Sequence, residues 1–159
     1  MSIFDTTALT IAGIDNNSST GTAVKARSQI FELTQAAEDA VIHPKDCGRL
    51  SHALRAWLAA RIAKKAGHSE LALHYMQMAD PKASSDHPGH ETHLDLRTLT
   101  EFVEKVANIP SEIEEHDLAD MQAAGFADQD IVRVCQLVAF IAYQVRITTG
   151  MHMMKDGVV

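Results

Sequence analysis

The hydrophobic residues recur with a helical period along most of the chain. One stripe consists of four apolar residues: Ile30, Leu33, Ala37 and Val41. Positions three and four apart lie on one face of a helix, so this stripe predicts a helix, and Pro44 marks its end. Nothing alternates with period two for long enough to form a strand. The pattern therefore predicts an all-α fold, a helical bundle of about six to seven helices.

Glycine, proline and capping residues delimit the other helices. Two lysines followed by Gly67 are typical of a helix end, and Ser69 is a good N-cap for the next helix. The segment ADPKASSDHPGH has the composition of a loop. Helices are predicted at 46–66, at 69–78, in the segment that ends before Pro110, in the segment that stops at Gly125, and from 129 to about 149.

The chain divides by composition into two parts. Residues 1–25 are mostly polar and small, and we expect an N-terminal arm that is partly flexible. Residues 26–159 are predicted to form a single helical domain, because a chain of 159 residues fits one domain. Aromatic residues make up only 5% of the sequence, which favours packed helices over sheets.

Charge and hydropathy exclude two classes of partner. The formal net charge of −7 argues against nucleic acid, because phosphate binding needs clustered lysine and arginine. Basic residues do gather at Arg55, Arg61 and 64–65, where we expect them to complement the dipole of a helix end. The apolar run 134–143 is much shorter than the ~20 residues of a membrane span, so it predicts a buried core helix.

The two cysteines predict a reducing, cytoplasmic location. Cys47 and Cys135 are far apart in sequence, and two cysteines in a domain of this size do not form a disulfide framework. The segment MSIFDTTALTIAG has no basic region and no long apolar run, so it does not have the pattern of a signal peptide.

Two segments together resemble a known family. They are LSHALRAWLAARIAKKAGHSELALHY and LADMQAAGFADQDIVRVCQLVAFIAYQVRITTG. They are similar to the two blocks of the alkylhydroperoxidase AhpD-like superfamily, also called the carboxymuconolactone decarboxylase family, over roughly residues 44–152. The resemblance implies an all-α fold, a homo-oligomer from dimer to hexamer, and alkylhydroperoxidase activity of the peroxiredoxin type.

The chain departs from the peroxidase motif of that family. The motif is a glutamate followed about a dozen residues later by Cys-x-x-Cys-x-x-x-His, in which a thiolate attacks the peroxide and a second cysteine resolves the sulfenate. His74 matches the motif histidine, but Gly67 and Glu70 stand where the cysteines would be. Leu54 and Arg55 occupy the register of the glutamate. A dithiol cycle is therefore not expected.

The remaining catalytic candidates are His74 and Glu70. They lie four residues apart on one helix face, where a carboxylate could orient the imidazole as a general base. The alternative is an ordinary surface pair. His68 and His93 are weaker candidates, since His68 lies at the start of the same helix and His93 starts the next one.

No metal and no cofactor is expected. His87, His90 and His93 are spaced by three, but the Pro-Gly pair at 88–89 interrupts any helix through them. A metal site there remains an alternative on ligand type alone.

Three hypotheses follow from the sequence. The first is a cofactor-free enzyme or a small-molecule-binding oligomer that uses the histidine and glutamate. The second is a one-cysteine peroxidase, for which Cys47 near a helix start is the candidate and Cys135, in the most apolar helix, is not. The third is a non-catalytic structural or partner subunit. A polar stripe on the last helix favours either a ligand pocket or a subunit interface: Arg133, Gln136, Phe140 and Tyr143.

Overall fold

The computed structural model describes residues 2–90, 94–155 and 157. This part of the chain contains eight α-helices and two short 3-10 helices, and no β-strand. The all-α prediction is confirmed. The α-helices are α1 (Thr7–Ala12), α2 (Ser19–Lys25), α3 (Ser28–Ile42), α4 (His52–Lys65), α5 (Ser69–Met76), α6 (Leu96–Asn108), α7 (Glu115–Ala123) and α8 (Asp128–Lys155), and the 3-10 helices are Ile3–Asp5 and Pro110–Glu112.

The main core forms around α4 and α8. Trp57 and Leu58 of α4 are almost completely buried, as are Leu137 and Ile141 of α8. Residues of α5, α6 and α7 complete the same hydrophobic cluster. Burial of such large apolar side chains supplies about 1.5–3 kcal/mol each, and this core therefore fixes the relative positions of the helices.

The described amino-terminal residues, for which the sequence predicted a partly flexible arm, are largely helical. The 3-10 helix, α1 and α2 form a second hydrophobic cluster, which packs against the carboxyl-terminal half of α8 at Ile147 and Met151. The polar residues that suggested flexibility hold a turn: the Asp15 carboxylate accepts hydrogen bonds from two backbone N–H groups, and Ser18 caps α2. These polar residues cap a turn and a helix, and composition alone cannot distinguish capping residues from those of a disordered segment.

The helix α4 begins later than the sequence predicted. Ser51 caps it by accepting a hydrogen bond from the backbone of Leu54. The residues before it form a loop that passes through Gly48, whose φ of 57° lies in the left-handed region. A side chain at this position would collide with the carboxylate of Asp130. The loop is therefore shaped by its contact with α8.

Arg55 anchors this loop to the core. Its guanidinium donates hydrogen bonds to the backbone carbonyls of Leu50 at 2.9 Å, Val41 at 3.0 Å and Cys47 at 3.0 Å. The side chain lies in the first turn of α4 and is buried, so the helix end that it complements is the last turn of α3, through Val41, and not the end of α4. Burial lowers the pKa of Arg55 from its ordinary value, but an arginine remains charged throughout the usual pH range.

The apolar stripe of α3 is largely exposed. Ile30 is 42% exposed and Leu33 is 58% exposed. The buried face of α3 is instead the one that carries Phe31, Thr34 and Glu38. This face of α3 packs towards α8, where Thr34 shares a hydrogen bond with Tyr143 and Glu38 accepts one from Gln144.

The last helix extends beyond its predicted end. It spans 28 residues, and by length and composition it is the one helix in the described ranges that could cross a membrane. Within the fold, 44% of its most apolar window is buried. The core helix of a globular bundle has the same properties, and α8 occupies that position here.

Candidate functional site

Four polar side chains meet inside the bundle, and we refer to them as the polar cluster. They come from three helices: Glu38 of α3, His74 and Tyr75 of α5, and Gln144 of α8. Glu38 is 3% exposed, and Tyr75 and Gln144 are completely buried. A buried carboxylate is costly unless hydrogen bonds or charges compensate for it, so its position marks this region as unusual.

The members of the polar cluster are close together but incompletely paired. His74 Nε2 lies 3.7 Å from Glu38 Oε1, and Gln144 Nε2 donates to Glu38 Oε2 at 3.4 Å. Considering only the described residues, four buried atoms of the cluster have no hydrogen-bond partner: Glu38 Oε1, His74 Nε2, Tyr75 Oη and Gln144 Oε1. Buried polar atoms are nearly always paired, and several unpaired ones in one place suggest a functional role.

Tyr75 supplies a neutral hydroxyl beside the carboxylate. Burial raises its pKa well above the ordinary value of 10, and the neighbouring charge of Glu38 adds to the rise. The hydroxyl is near Glu38 without forming a hydrogen bond of good geometry. Tyr75 therefore keeps its proton and remains a potential donor to the carboxylate or to a bound molecule.

His68 has a structural role. Its Nδ1 accepts a hydrogen bond from the backbone of Leu71 and so caps α5, a position that the sequence assigned to Ser69. A ring nitrogen that accepts a hydrogen bond carries no proton, so the proton lies on Nε2, which is 2.8 Å from Thr148 Oγ1. These two bonds hold the imidazole in place as the cap of α5.

The structure gives His74 a different partner from the predicted one. Glu70 is exposed, and no described ion pair or hydrogen bond joins it to His74, whereas Glu38 lies against Nε2. The structure therefore does not join the two residues that the four-residue spacing paired. His93, the other weak candidate, lies outside the described residues.

The positions of the missing motif cysteines lie at the surface. Gly67 has a φ of 80°, with open space around its Cα, and Glu70 is exposed. Both actual cysteines are free and partly buried. Burial raises the pKa of Cys135, which disfavours its thiolate, and the thiol of Cys47 lies 3.9 Å from the carbonyl oxygen of Pro44.

The histidines of the long loop do not form a metal site in the part of it that is described. His90 pairs with Asp80, and His87 Nδ1 accepts a hydrogen bond from the backbone of Gly89. Across the described ranges, no group of three potential ligands could hold a metal ion. Glu91 and His93 lie outside them.

The predicted polar stripe of α8 does not line a single site. Arg133 forms ion pairs with Asp46 and Asp130, so its side chain contacts the loop before α4. Phe140 is in the core, and Tyr143 is partly exposed and shares a hydrogen bond with Thr34 of α3.

Comparison with known proteins found no match: no protein-family model, no curated protein and no solved structure matches the chain.

Proposed function

We propose that this protein is a cofactor-free enzyme that uses His74 as a general acid–base towards a small organic molecule. The observation that carries the proposal is the contact between His74 and the buried Glu38 in the polar cluster. A carboxylate beside one imidazole nitrogen orients the ring and leaves the other nitrogen to exchange a proton with a substrate.

The exposure of His74 fits this role. Its side chain is 25% exposed although Nε2 is buried, so the accessible part of the ring lies away from Glu38. A substrate could therefore reach the ring while Glu38 holds the opposite edge. Gln144 donates to the other carboxylate oxygen of Glu38 at 3.4 Å.

The resemblance to the AhpD-like family is part of the proposal. His74 is the one residue that matches the family's thiol motif, and the chain retains it where both thiols are absent. We infer a divergent member in which acid–base chemistry remains after the redox pair has gone. A cytoplasmic location belongs to the same proposal, and the two free cysteines support it.

Replacing His74 with asparagine tests the proposal. We expect at least a 100-fold loss of kcat, because general acid–base catalysis contributes about 10²–10⁴-fold. The assay follows deuterium uptake from solvent and ring opening by NMR across a panel of small oxo acids and lactones. Glu38→Gln should lower kcat less than His74→Asn does and should shift the pH profile of kcat, since Glu38 acts through the imidazole.

Glu70→Gln is the matched control, because Glu70 lies on the same helix and is exposed. Its rate should equal that of the unmodified protein. A Glu70→Gln variant that loses activity while Glu38→Gln keeps it would overturn the assignment of the carboxylate. Turnover of a hydroperoxide with a dithiol reductant that disappears in Cys47→Ser would establish the one-cysteine peroxidase instead.

A second candidate is a non-catalytic homo-oligomer, and the exposed stripe of α3 favours it. Leu33→Glu should shift the protein towards the monomer in sedimentation velocity, because a charge would be buried at an apolar contact. Val132→Glu is the control, since Val132 is 56% exposed on α8 outside this stripe. A monomeric unmodified protein would rule out this use of the stripe.

A further inference from the structure

A groove separate from the polar cluster lies between α4 and α5. Its volume is about 580 Å³, within the range of sites that hold small molecules. The loop at 85–86 forms its third side. The helix α5 turns Ser69 and Leu73 towards this groove, and His74 of the same helix faces Glu38 elsewhere. The groove is thus distinct from the proposed acid–base site.

One wall of the groove is apolar. Ala72, Leu73 and Met76 of α5 face Ala60 of α4 across it. Leu73 is 61% exposed, an unusual environment for a leucine next to a concave surface. An apolar ligand segment in the groove would remove this surface from water, which stabilises the bound state by about 25 cal/mol per Å².

The opposite wall carries three cations: Arg61, Lys64 and Lys65. The carboxylate of Glu104 binds two of them, at 2.7 Å from Arg61 Nη2 and 2.6 Å from Lys65 Nζ. Burial opposes ionisation of Glu104, but the hydrogen bonds from both cations outweigh it and hold its pKa below the ordinary value. Lys64 has no ion pair with any described residue.

The charge of the groove is opposite to that of the protein. Three cations and one exposed carboxylate, Asp86, line the groove, and Glu104 pairs with two of these cations, which leaves a positive excess. The chain as a whole has a net charge of −7. A positive region at a concave site of an acidic protein attracts anions and excludes cations of similar shape.

From this combination we propose that the groove binds a small amphipathic carboxylate, with its apolar tail on Leu73 and Met76 and its carboxylate at Lys64. Glu104 pairs with Arg61 and Lys65, which leaves Lys64 as the cation of this wall that is available to the ligand. Arg61 also donates to the carbonyl of Ser85 at 2.9 Å and lies over the ring of Trp57, which joins the loop to this wall.

Calorimetric titration of the full chain with octanoate tests the inference. Two matched probes separate its components: acetate carries the charge without the tail, and octyltrimethylammonium carries the tail with the opposite charge. We expect octanoate to bind at least tenfold more tightly than either. Lys64→Gln should weaken octanoate binding about fivefold, as expected for an exposed charge pair. Leu73→Ser should weaken it about tenfold.

Lys45→Gln is the control, because Lys45 is an exposed lysine in the loop before α4, at the opposite end of that helix. It should bind octanoate like the unmodified protein. Equal binding of octyltrimethylammonium, or unchanged affinity in Lys64→Gln, would overturn the inference. So would self-association that Leu73→Ser abolishes, since a second copy of the chain would then occupy the groove. Neither exposed substitution removes a core contact, so both variants should fold.

Discussion

Replacing Arg55 with methionine should lower the free energy of unfolding by about 3–5 kcal/mol, one of the two largest effects we expect in this protein. Methionine preserves the unbranched apolar stem, so the change removes mainly the guanidinium. The backbone carbonyls of Val41 and Leu50 then lose their donor, and that of Cys47 keeps only the N–H of Leu50 at 3.2 Å. Burial of acceptors without donors costs about 1–3 kcal/mol each, and relaxation of the loop recovers part of that.

Denaturant unfolding monitored by fluorescence of the single tryptophan measures this effect. Arg55→Lys should recover only part of the loss, because one ammonium cannot reach three carbonyls in different directions. Arg97→Met is the control, since Arg97 is 81% exposed and, among the described residues, its one ion pair is with Glu101 of its own helix. Its effect should stay below about 0.5 kcal/mol. A loss of less than about 1 kcal/mol in Arg55→Met would show that the loop does not depend on the guanidinium.

Replacing Trp57 with alanine should cost about 3–5 kcal/mol, the usual range for deleting a large buried ring. Trp57 is 1% exposed and lies in the main core. Its Nε1 also donates to the carbonyl of Ser84 at 2.7 Å, so the ring holds the loop that borders the groove. The variant therefore loses both packing and the attachment of that loop.

Trp57→Phe separates these two contributions. Phenylalanine keeps much of the apolar volume but cannot donate to Ser84, and we expect a smaller loss of about 1–3 kcal/mol. Circular dichroism follows unfolding, because neither variant retains the fluorophore. Hydrogen exchange near Ser84 should increase in Trp57→Phe while the amides of α8 stay protected. Equal losses in both variants would mean that the hydrogen bond, rather than the packing of the ring, dominates.

The helices from α3 onwards could be predicted from the sequence because their ends are marked locally. Gly67, Gly125 and Pro110 each stop a helix by their own backbone properties, whatever surrounds them. The start of α4 could not be predicted in this way. It depends on the contact between Gly48 and Asp130, residues that only the folded chain brings together.

The partner of His74 was missed for a related reason. Spacing rules connect residues within one helix, and they connected His74 to Glu70. The actual neighbour, Glu38, lies on another helix, on a face that also carries Phe31 and Thr34. A buried glutamate between apolar residues has no periodic pattern of its own, so only helix packing reveals it.

The arrangement of α8 has a consequence for the synthesis of the chain. The main core needs Leu137 and Ile141, and the amino-terminal cluster needs Ile147 and Met151. Neither hydrophobic cluster can form until the ribosome has synthesised these residues, although the helices that pack against them are synthesised much earlier. During that interval the apolar faces of α1 and α4 are open to other chains, and chaperones would have to shield them.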